Sequence, residues 1–256
     1  MTASLETKEL TIRFGGHVAV DAVSCAFRPG ELTAIVGPNG AGKTTYFNLI
    51  SGQLRATGGA VVLNGADITA KSAPQRARAG IGRAFQLTNL FPNLSVFENI
   101  RLAVQARAGV HYEMTRPWAL RDDLIARAAS VIDQVALAAK RDQAAASLSH
   151  GDQRKLEVAL MMALEPDIFM FDEPTAGMSV DEVPVVLDLI ARLKHDKTKT
   201  ILLVEHKMDV VRSLADRIIV LHNGRLVADG EPAAIIASPI VQEAYLGVAS
   251  QKSEPA

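Results

Sequence analysis

The chain has 256 residues, of which 48% are hydrophobic and 21% are charged, and its formal net charge is −1 at pH 7. This length and composition suit one large α/β domain, and the near-neutral charge gives no global attraction to nucleic acid or anionic lipid. We find no charged-then-apolar leader and no apolar run long enough to cross a bilayer, so we expect a cytosolic chain. The single cysteine, Cys25, lies in an alternating apolar run, which predicts a buried core thiol.

The first predicted elements are two strands, 8–14 and 18–27, joined as a hairpin at Gly15 and Gly16. Phe14 ends the first strand. An aromatic ring at that place could stack on an adenine base, whereas packing in the core is the more common fate of a phenylalanine. The residues alone leave both interpretations open.

A glycine-rich loop follows a short apolar strand, 32–36, and precedes a predicted helix, 43–50. The loop, residues 37–45, matches the pattern Gly, four residues, Gly-Lys-Thr of the phosphate-binding P-loop. Its glycines let successive N–H groups turn toward an anion, and the helix N-terminus adds partial positive charge. We expect the side chain of Lys43 to reach the β- and γ-phosphates and the hydroxyl of Thr44 to bind Mg²⁺. The candidate phosphate-binding residues are Gly37, Pro38, Asn39, Gly40, Ala41, Gly42, Lys43, Thr44 and Thr45.

After the loop, the pattern first alternates and then becomes helical. A strand is predicted over 59–64, a short helix from Pro74, and a strand over 81–85 that stops at Gln86. From about 87 to 147 the apolar residues follow helical spacing, which indicates a helical insertion in an α/β core.

The insertion begins with an unusually apolar segment, 90–97. Core packing and a docking groove for another protein both explain that composition. Ser95 and Glu98 have the spacing of a capping box at a helix start, and 124–135 has the spacing of an amphipathic helix.

Two apolar strands in the second half end in polar residues. The strand 168–171 delivers Asp172 and Glu173, and the strand 200–204 ends at Glu205 and His206. Carboxyl ends of parallel strands are where ligands of open α/β folds bind. The remaining predictions are a helix over 155–164, a helix over 181–194, and a hairpin that turns at Asn223 and Gly224.

Four features therefore follow the P-loop in order: Gln86, the run 148–152, the pair Asp172-Glu173, and His206. In this arrangement the chain resembles the nucleotide-binding subunit of an ATP-binding cassette (ABC) transporter over about residues 5–247. The family signature normally reads Leu-Ser-Gly-Gly-Gln. Here it reads Leu-Ser-His-Gly-Asp over 148–152, so it departs at the third and fifth positions and keeps Ser149 and Gly151.

The resemblance implies a P-loop NTPase (RecA-like) α/β core with an antiparallel β subdomain and an inserted α-helical subdomain. It implies one nucleotide-binding domain over 5–247, in which 5–88 and 150–230 form the core with its β subdomain. The helical subdomain then occupies 89–149, and 248–256 is a flexible tail.

The resemblance also implies ATP and Mg²⁺ as ligands. Glu173 would orient or deprotonate the attacking water, His206 would hold the γ-phosphate or the water geometry, and Gln86 would touch both metal and water. The implied metal set is Thr44, Gln86 and Asp172. The implied nucleotide contacts are Phe14, the P-loop, Ser149 and Gly151, with Ser149 and Gly151 supplied by a second cassette.

Two copies, or this chain and a paralogue, would bind ATP head to tail on the inner face of the membrane and drive transmembrane permease subunits. A solute-binding protein would be an indirect partner and nucleic acid would not be one. Narrower motifs in 13–16, 80–86, 204–211 and 243–247 look like the cassettes of branched-chain amino acid importers. Cassettes for urea import, short-amide import and lipopolysaccharide export are alternatives, and the residues of this chain do not identify the solute.

Rival classes lack support in the residues. Soluble ABC ATPases of DNA repair or translation usually carry two cassettes, coiled-coil arms or zinc modules in one chain. A P-loop kinase or GTPase outside the ABC family would not need the run 148–152.

Overall fold

The computed structural model describes residues 4–84, 90–109 and 121–239. The strands and α-helices of this part are, in chain order, β1 (Leu5–Phe14), β2 (His17–Phe27), β3 (Leu32–Val36), α1 (Lys43–Ser51), β4 (Gly58–Leu63), β5 (Ala66–Asp67), α2 (Ala73–Arg78), β6 (Ile81–Ala84), α3 (Val96–Arg107), α4 (Asp122–Gln134), α5 (His150–Leu164), β7 (Ile168–Asp172), α6 (Val183–Lys194), β8 (Thr200–Val204), α7 (Met208–Leu214), β9 (Arg217–His222), β10 (Arg225–Gly230) and α8 (Pro232–Ile236). None of the helices described here has the length and apolar character needed to cross a membrane.

The chain divides into two compact units. The first comprises Met1–Ala79 and Lys197–Ala256, and the second comprises Gly80–Asp196. The first unit contains the P-loop and His206, and the second contains the signature run and the pair Asp172-Glu173.

An antiparallel sheet in the first unit has the strand order β2-β1-β4-β5. The hairpin between β1 and β2 pairs Phe14 with His17, so the turn lies at the two predicted glycines. Cys25, on β2, is buried as predicted, and burial raises the pKa of its thiol to about 11. A thiol with this pKa is not ionised at neutral pH, which fits a structural role.

Parallel strands in the first unit place two candidate segments at one edge. β3 pairs in parallel with β8 on one side and with β9 on the other, and β10 pairs antiparallel to β9. All five residues of β3 and of β8 are buried, as their continuous apolar sequences predict. Because Ile35 is in register with Val204, the P-loop after β3 and His206 after β8 leave the same edge of the sheet.

The helix α1 begins at the P-loop, and its far end is fixed by a buried arginine on α2. Arg76 is 2% exposed. Its guanidinium donates to the carbonyl oxygens of Leu49 at 2.6 Å and Ile50 at 2.8 Å, and to those of Thr69 and Lys71 at 2.8 and 3.1 Å. A cation at a helix C-terminus interacts favourably with the carbonyl dipoles there. Arg76 therefore ties the phosphate-loop helix to the segment that follows β5.

The second unit contains the parallel pair β6 and β7 together with α3, α4, α5 and α6. α3 starts where the sequence predicts, since the Ser95 side chain accepts from the backbone N–H of Glu98. The prediction that a helix starts at Lys155 was wrong: α5 begins at His150, with Ser149 as its N-cap. The Ser149 hydroxyl accepts from the N–H of Asp152, so this cap begins the helix within the signature run.

Candidate functional site

The P-loop adopts a conformation that requires glycine at two places. Gly37 has φ +153° and a side chain there would meet the carbonyl oxygen of Leu221 at 2.2 Å. Gly42, with φ +98°, is the N-cap of α1 and has the carbonyl oxygen of Ala19 at 2.5 Å from the place of a Cβ. Backbone oxygens cannot move aside as a side-chain end can, so β2 and β9 back the loop closely.

Lys43 lies folded over this loop. Its side chain is buried, and its Nζ donates to the carbonyl oxygens of Gly37 at 2.7 Å and Pro38 at 3.0 Å. Thr44 is exposed in the first turn of α1, and that turn has no acidic residue. A positive helix end, a lysine and an exposed hydroxyl lie together here, and this is an anion-binding arrangement.

A buried carboxylate shapes the loop that carries His206. Glu205 is fully buried, and its Oε2 accepts from the N–H groups of His206 at 2.9 Å and Lys207 at 3.2 Å. The same oxygen lies 3.8 Å from Nδ1 of His206, whose side chain is half exposed. The imidazole is therefore held on an anchored turn and faces solvent.

Phe14 is 50% exposed. The interpretation of this ring as a core residue was therefore wrong, and half of its surface is accessible.

In the second unit, β7 ends in the predicted pair of carboxylates. Asp172 is buried, and its Oδ2 accepts from the guanidinium of Arg83 at 2.8 Å. Its Oδ1 is also buried and has no hydrogen-bond partner within the described ranges. Glu173 follows with φ +48°, a left-handed conformation that costs a non-glycine residue on the order of 1–3 kcal/mol. A strained backbone persists only where the surrounding structure imposes it, and such residues are common at functional sites.

The signature run lies at the N-terminus of α5, and its acidic residue is neutralised. The carboxylate of Asp152 accepts from Nζ of Lys155 at 2.9 Å and also pairs with Nζ of Lys140. Burial acts to raise the pKa of Asp152, but the hydrogen bonds from Lys140, Lys155 and Ser149 outweigh it and lower the pKa below its usual value. Asp152 is therefore an ionised carboxylate with two cations around it.

A second carboxylate, that of Glu182, lies against the signature. A Cβ on Gly151 would stand 2.1 Å from the carboxylate carbon of Glu182. Oε2 of Glu182 accepts from the hydroxyl of Ser179 at 3.0 Å, and its Oε1 accepts from the hydroxyl of Ser149 at 3.4 Å. Glu182 thereby joins the signature to the loop that follows the two carboxylates of β7.

The apolar segment 90–97 is divided between the core and the surface, and its interpretation as a docking groove stays a prediction. Val96 and Phe97 are buried, and the guanidinium of Arg141 lies 4.3 Å from the ring centroid of Phe97. Phe91 instead exposes 56% of its surface. The helix start is thus core, and the residues before it leave one large apolar side chain at the surface.

Gln86 lies outside the described residues. Sequence reasoning missed two groups: Arg83, the partner of Asp172, and Glu182, the partner of the signature. Arg83 is a charged residue inside the short strand β6, and this was the only sequence signal for it. Nothing in the neighbouring residues marked Glu182.

Comparisons with known proteins agree with this set of features. The family model described as "ABC transporter" matches residues 20–176. LivG of Salmonella typhimurium, a high-affinity branched-chain amino acid transport ATP-binding protein, is 38% identical over 250 residues, which cover 96% of this chain and 98% of LivG. BraF of Pseudomonas aeruginosa, with the same description, is 37% identical over the same shares.

Solved structures show the same fold. The ADP conformation of MJ1267, an ATP-binding cassette of an ABC transporter, superposes with a TM-score of 0.82 at 28% identity and covers 96% of this chain and 100% of that one. CbiO1 of Clostridium perfringens, part of the transporter complex cbiONQ, has a TM-score of 0.79 at 25% identity, over 97% and 96% of the two chains. The predicted α/β cassette fold is confirmed. The chain belongs to the ABC transporter family, as an ATP-binding subunit whose ATP hydrolysis is coupled to transport.

Proposed function

We propose that this chain hydrolyses ATP to drive the import of branched-chain or other hydrophobic amino acids through transmembrane permease subunits. The observation that carries this proposal is the similarity to LivG and BraF over nearly the full length of the chain. Both relatives are described as branched-chain amino acid transport ATP-binding proteins. The cassette itself need not touch the solute, so the solute is inferred from the relatives and the chemistry from the residues.

In the first unit, the P-loop would bind the phosphates of ATP. Lys43 would exchange the carbonyl oxygens of Gly37 and Pro38 for β- and γ-phosphate oxygens, a stronger charge-assisted pairing. The backbone N–H groups of residues 39–45 and the positive end of α1 would add to this attraction. The exposed ring of Phe14 would stack on the adenine.

Thr44, Gln86 and Asp172 would hold Mg²⁺, which neutralises phosphate charge when it is bound. The described residues of this set fit that role. Oδ1 of Asp172 is a buried carboxylate oxygen without a hydrogen-bond donor in the described part of the chain, and Thr44 offers an exposed hydroxyl. Oxygen ligands of this kind are the ones that Mg²⁺ prefers.

Hydrolysis would depend on Glu173 and His206. The left-handed backbone of Glu173 sets its carboxylate on a turn directly after Asp172, and we assign it the orientation or deprotonation of the attacking water. The half-exposed imidazole of His206 would hold the γ-phosphate or the water, and the backbone N–H groups of His206 and Lys207, which donate to the Glu205 carboxylate, would fix the turn.

A second cassette would complete each site by presenting Ser149 and Gly151 to the γ-phosphate. These residues lie at the N-terminus of α5, where the helix attracts anions. An acid in the signature is expected to repel phosphate, but Lys140 and Lys155 compensate the charge of the ionised Asp152. The partner cassette is a second copy or a paralogue, and the permeases hold the pair on the inner face of the membrane. The exposed Phe91 is our candidate contact for a permease.

Solute uptake tests the proposal directly. In a strain that lacks the gene, we expect the uptake of labelled leucine to be lost, and to return with the wild-type gene but not with Glu173→Gln. Intact leucine uptake with lost urea uptake would assign the cassette to the urea alternative. Intact uptake of every solute would refute import and favour the export alternative.

Mixed subunits test the shared site. A dimer of one Lys43→Ala and one Ser149→Arg subunit would contain one site with both lesions and one with neither. We therefore expect the mixture to regain part of the ATPase activity that each variant lacks alone. Assembled mixed dimers without any regained activity would contradict the shared site.

A further inference from the structure

The ion pair between Arg83 and Asp172 connects two neighbouring strands of the second unit. β6 and β7 are parallel, and Arg83 is in register with Met170. Residues two apart on a strand share a face, so Arg83 and Asp172 emerge on the same face of the pair. The two side chains are 6% and 1% exposed, and the bond between them is 2.8 Å long.

Burial makes this pair more than a surface salt bridge. A carboxylate removed from water is costly unless a cation or several donors compensate it. In the described part of the chain, the only donor to Asp172 is Arg83, which binds Oδ2 and leaves Oδ1 without a partner. The structure thus divides the carboxylate into one oxygen held by an internal cation and one buried oxygen without a donor in the described ranges.

We propose that Arg83 is the internal counter-charge of the Mg²⁺ site, which keeps the affinity of Asp172 for the metal low enough that Mg²⁺ binds only together with nucleotide. This inference rests on the assignment of Asp172 to Mg²⁺ in the proposed function. A guanidinium bound to the same carboxylate repels a divalent cation and takes one of the two oxygens that it would use. The phosphates of the nucleotide supply the missing negative charge, and loss of the γ-phosphate weakens the hold again. Arg83 is thus a positioning residue that acts on the metal through Asp172.

Arg83→Met tests the inference, because methionine keeps an unbranched apolar stem and removes the charge. We expect the Mg²⁺ concentration that half-saturates binding in the presence of ADP to fall about tenfold or more, measured by calorimetry. We also expect millimolar Mg²⁺ without nucleotide to raise the melting temperature of the variant by several degrees and to leave that of the wild type unchanged. An unchanged or higher half-saturating concentration in the variant would overturn the inference.

The matched control is Arg101→Met. Arg101 lies in the same unit, its side chain is 9% exposed, and it pairs with Glu98 at 2.6 Å. Its loss removes a comparable buried guanidinium at another place, so we expect lower stability and no change in Mg²⁺ dependence. Equal Mg²⁺ responses in the two variants would mean that Arg83 is only a structural partner.

Two further measurements keep the test decisive. If Arg83→Met does not fold, Arg83→Gln retains a neutral donor for Asp172 and should show the same direction of change. The wild type gives a reading of its own: stabilisation by Mg²⁺ alone would refute the inference without any variant. Asp172→Asn separates the two proposals, because nucleotide binding that keeps its normal Mg²⁺ dependence in this variant would remove the metal assignment itself.

Discussion

Replacement of the buried arginine on α2, Arg76→Met, should cost the protein about 3–5 kcal/mol of unfolding free energy. The guanidinium makes hydrogen bonds to four backbone carbonyl oxygens. A hydrogen bond to a charged group contributes about 1.5–3 kcal/mol, and the variant leaves these carbonyls without that partner. Methionine recovers part of the loss, since it avoids the desolvation of a charge, and burial indeed lowers the pKa of Arg76.

Urea denaturation followed by circular dichroism measures this difference, provided that the slope with urea stays the same in both proteins. The control is Arg225→Met, which removes an exposed guanidinium paired with Asp21 at 2.7 Å. An exposed pair of this kind contributes about 0–1 kcal/mol. If the two variants lost the same stability, the argument that Arg76 holds the end of α1 would be refuted.

Three further predictions concern single side chains. Glu173→Gln should lower ATP turnover, measured by phosphate release, by about 10²–10⁴-fold, and should keep ATP binding, measured by equilibrium dialysis. The control Glu165→Gln changes another carboxylate at positive φ and should leave turnover intact. Phe14→Ala should weaken ATP binding about tenfold in a nucleotide titration, whereas Phe91→Ala, at a similarly exposed ring, should not change it. Because the pKa of Asp152 is lowered in the folded protein, its ion pairs stabilise the fold at pH values above the ordinary carboxyl pKa, and this stabilisation is lost as the pH falls through the pKa of the folded state. Asp152→Asn should therefore flatten the acid part of the plot of unfolding free energy against pH. An unchanged plot would contradict the ion pairs.

Local patterns predicted the elements that carry the phosphate loop. The apolar run 32–36 is a buried strand, and the glycines that follow take the conformations that the motif needs. The information was local in each case, because a loop between a buried strand and a helix is specified by the residues within it.

Contacts between distant residues were not predictable in the same way. Arg83 and Asp172 are 89 residues apart, and only the pairing of β6 with β7 brings them together. The start of α5 was missed for a different reason. Histidine, glycine and aspartate are weak helix formers, but the serine cap and the aspartate three residues later outweigh their propensities.

The altered signature illustrates how such contacts decide the meaning of a substitution. By sequence alone, Asp152 adds a negative charge at a helix start that is expected to meet phosphate. In the structure, Lys140 and Lys155 add two positive charges beside it, so the cluster of three is positive in sum. If this helix meets a phosphate as proposed, the carboxylate that would oppose it is that of Glu182, which occupies the space next to Gly151. The Glu182 carboxylate lies at the end of a flexible side chain held by the hydroxyl of Ser179, so we expect it to move aside when a phosphate binds there. Asp152, whose charge Lys140 and Lys155 already compensate, can stay in place.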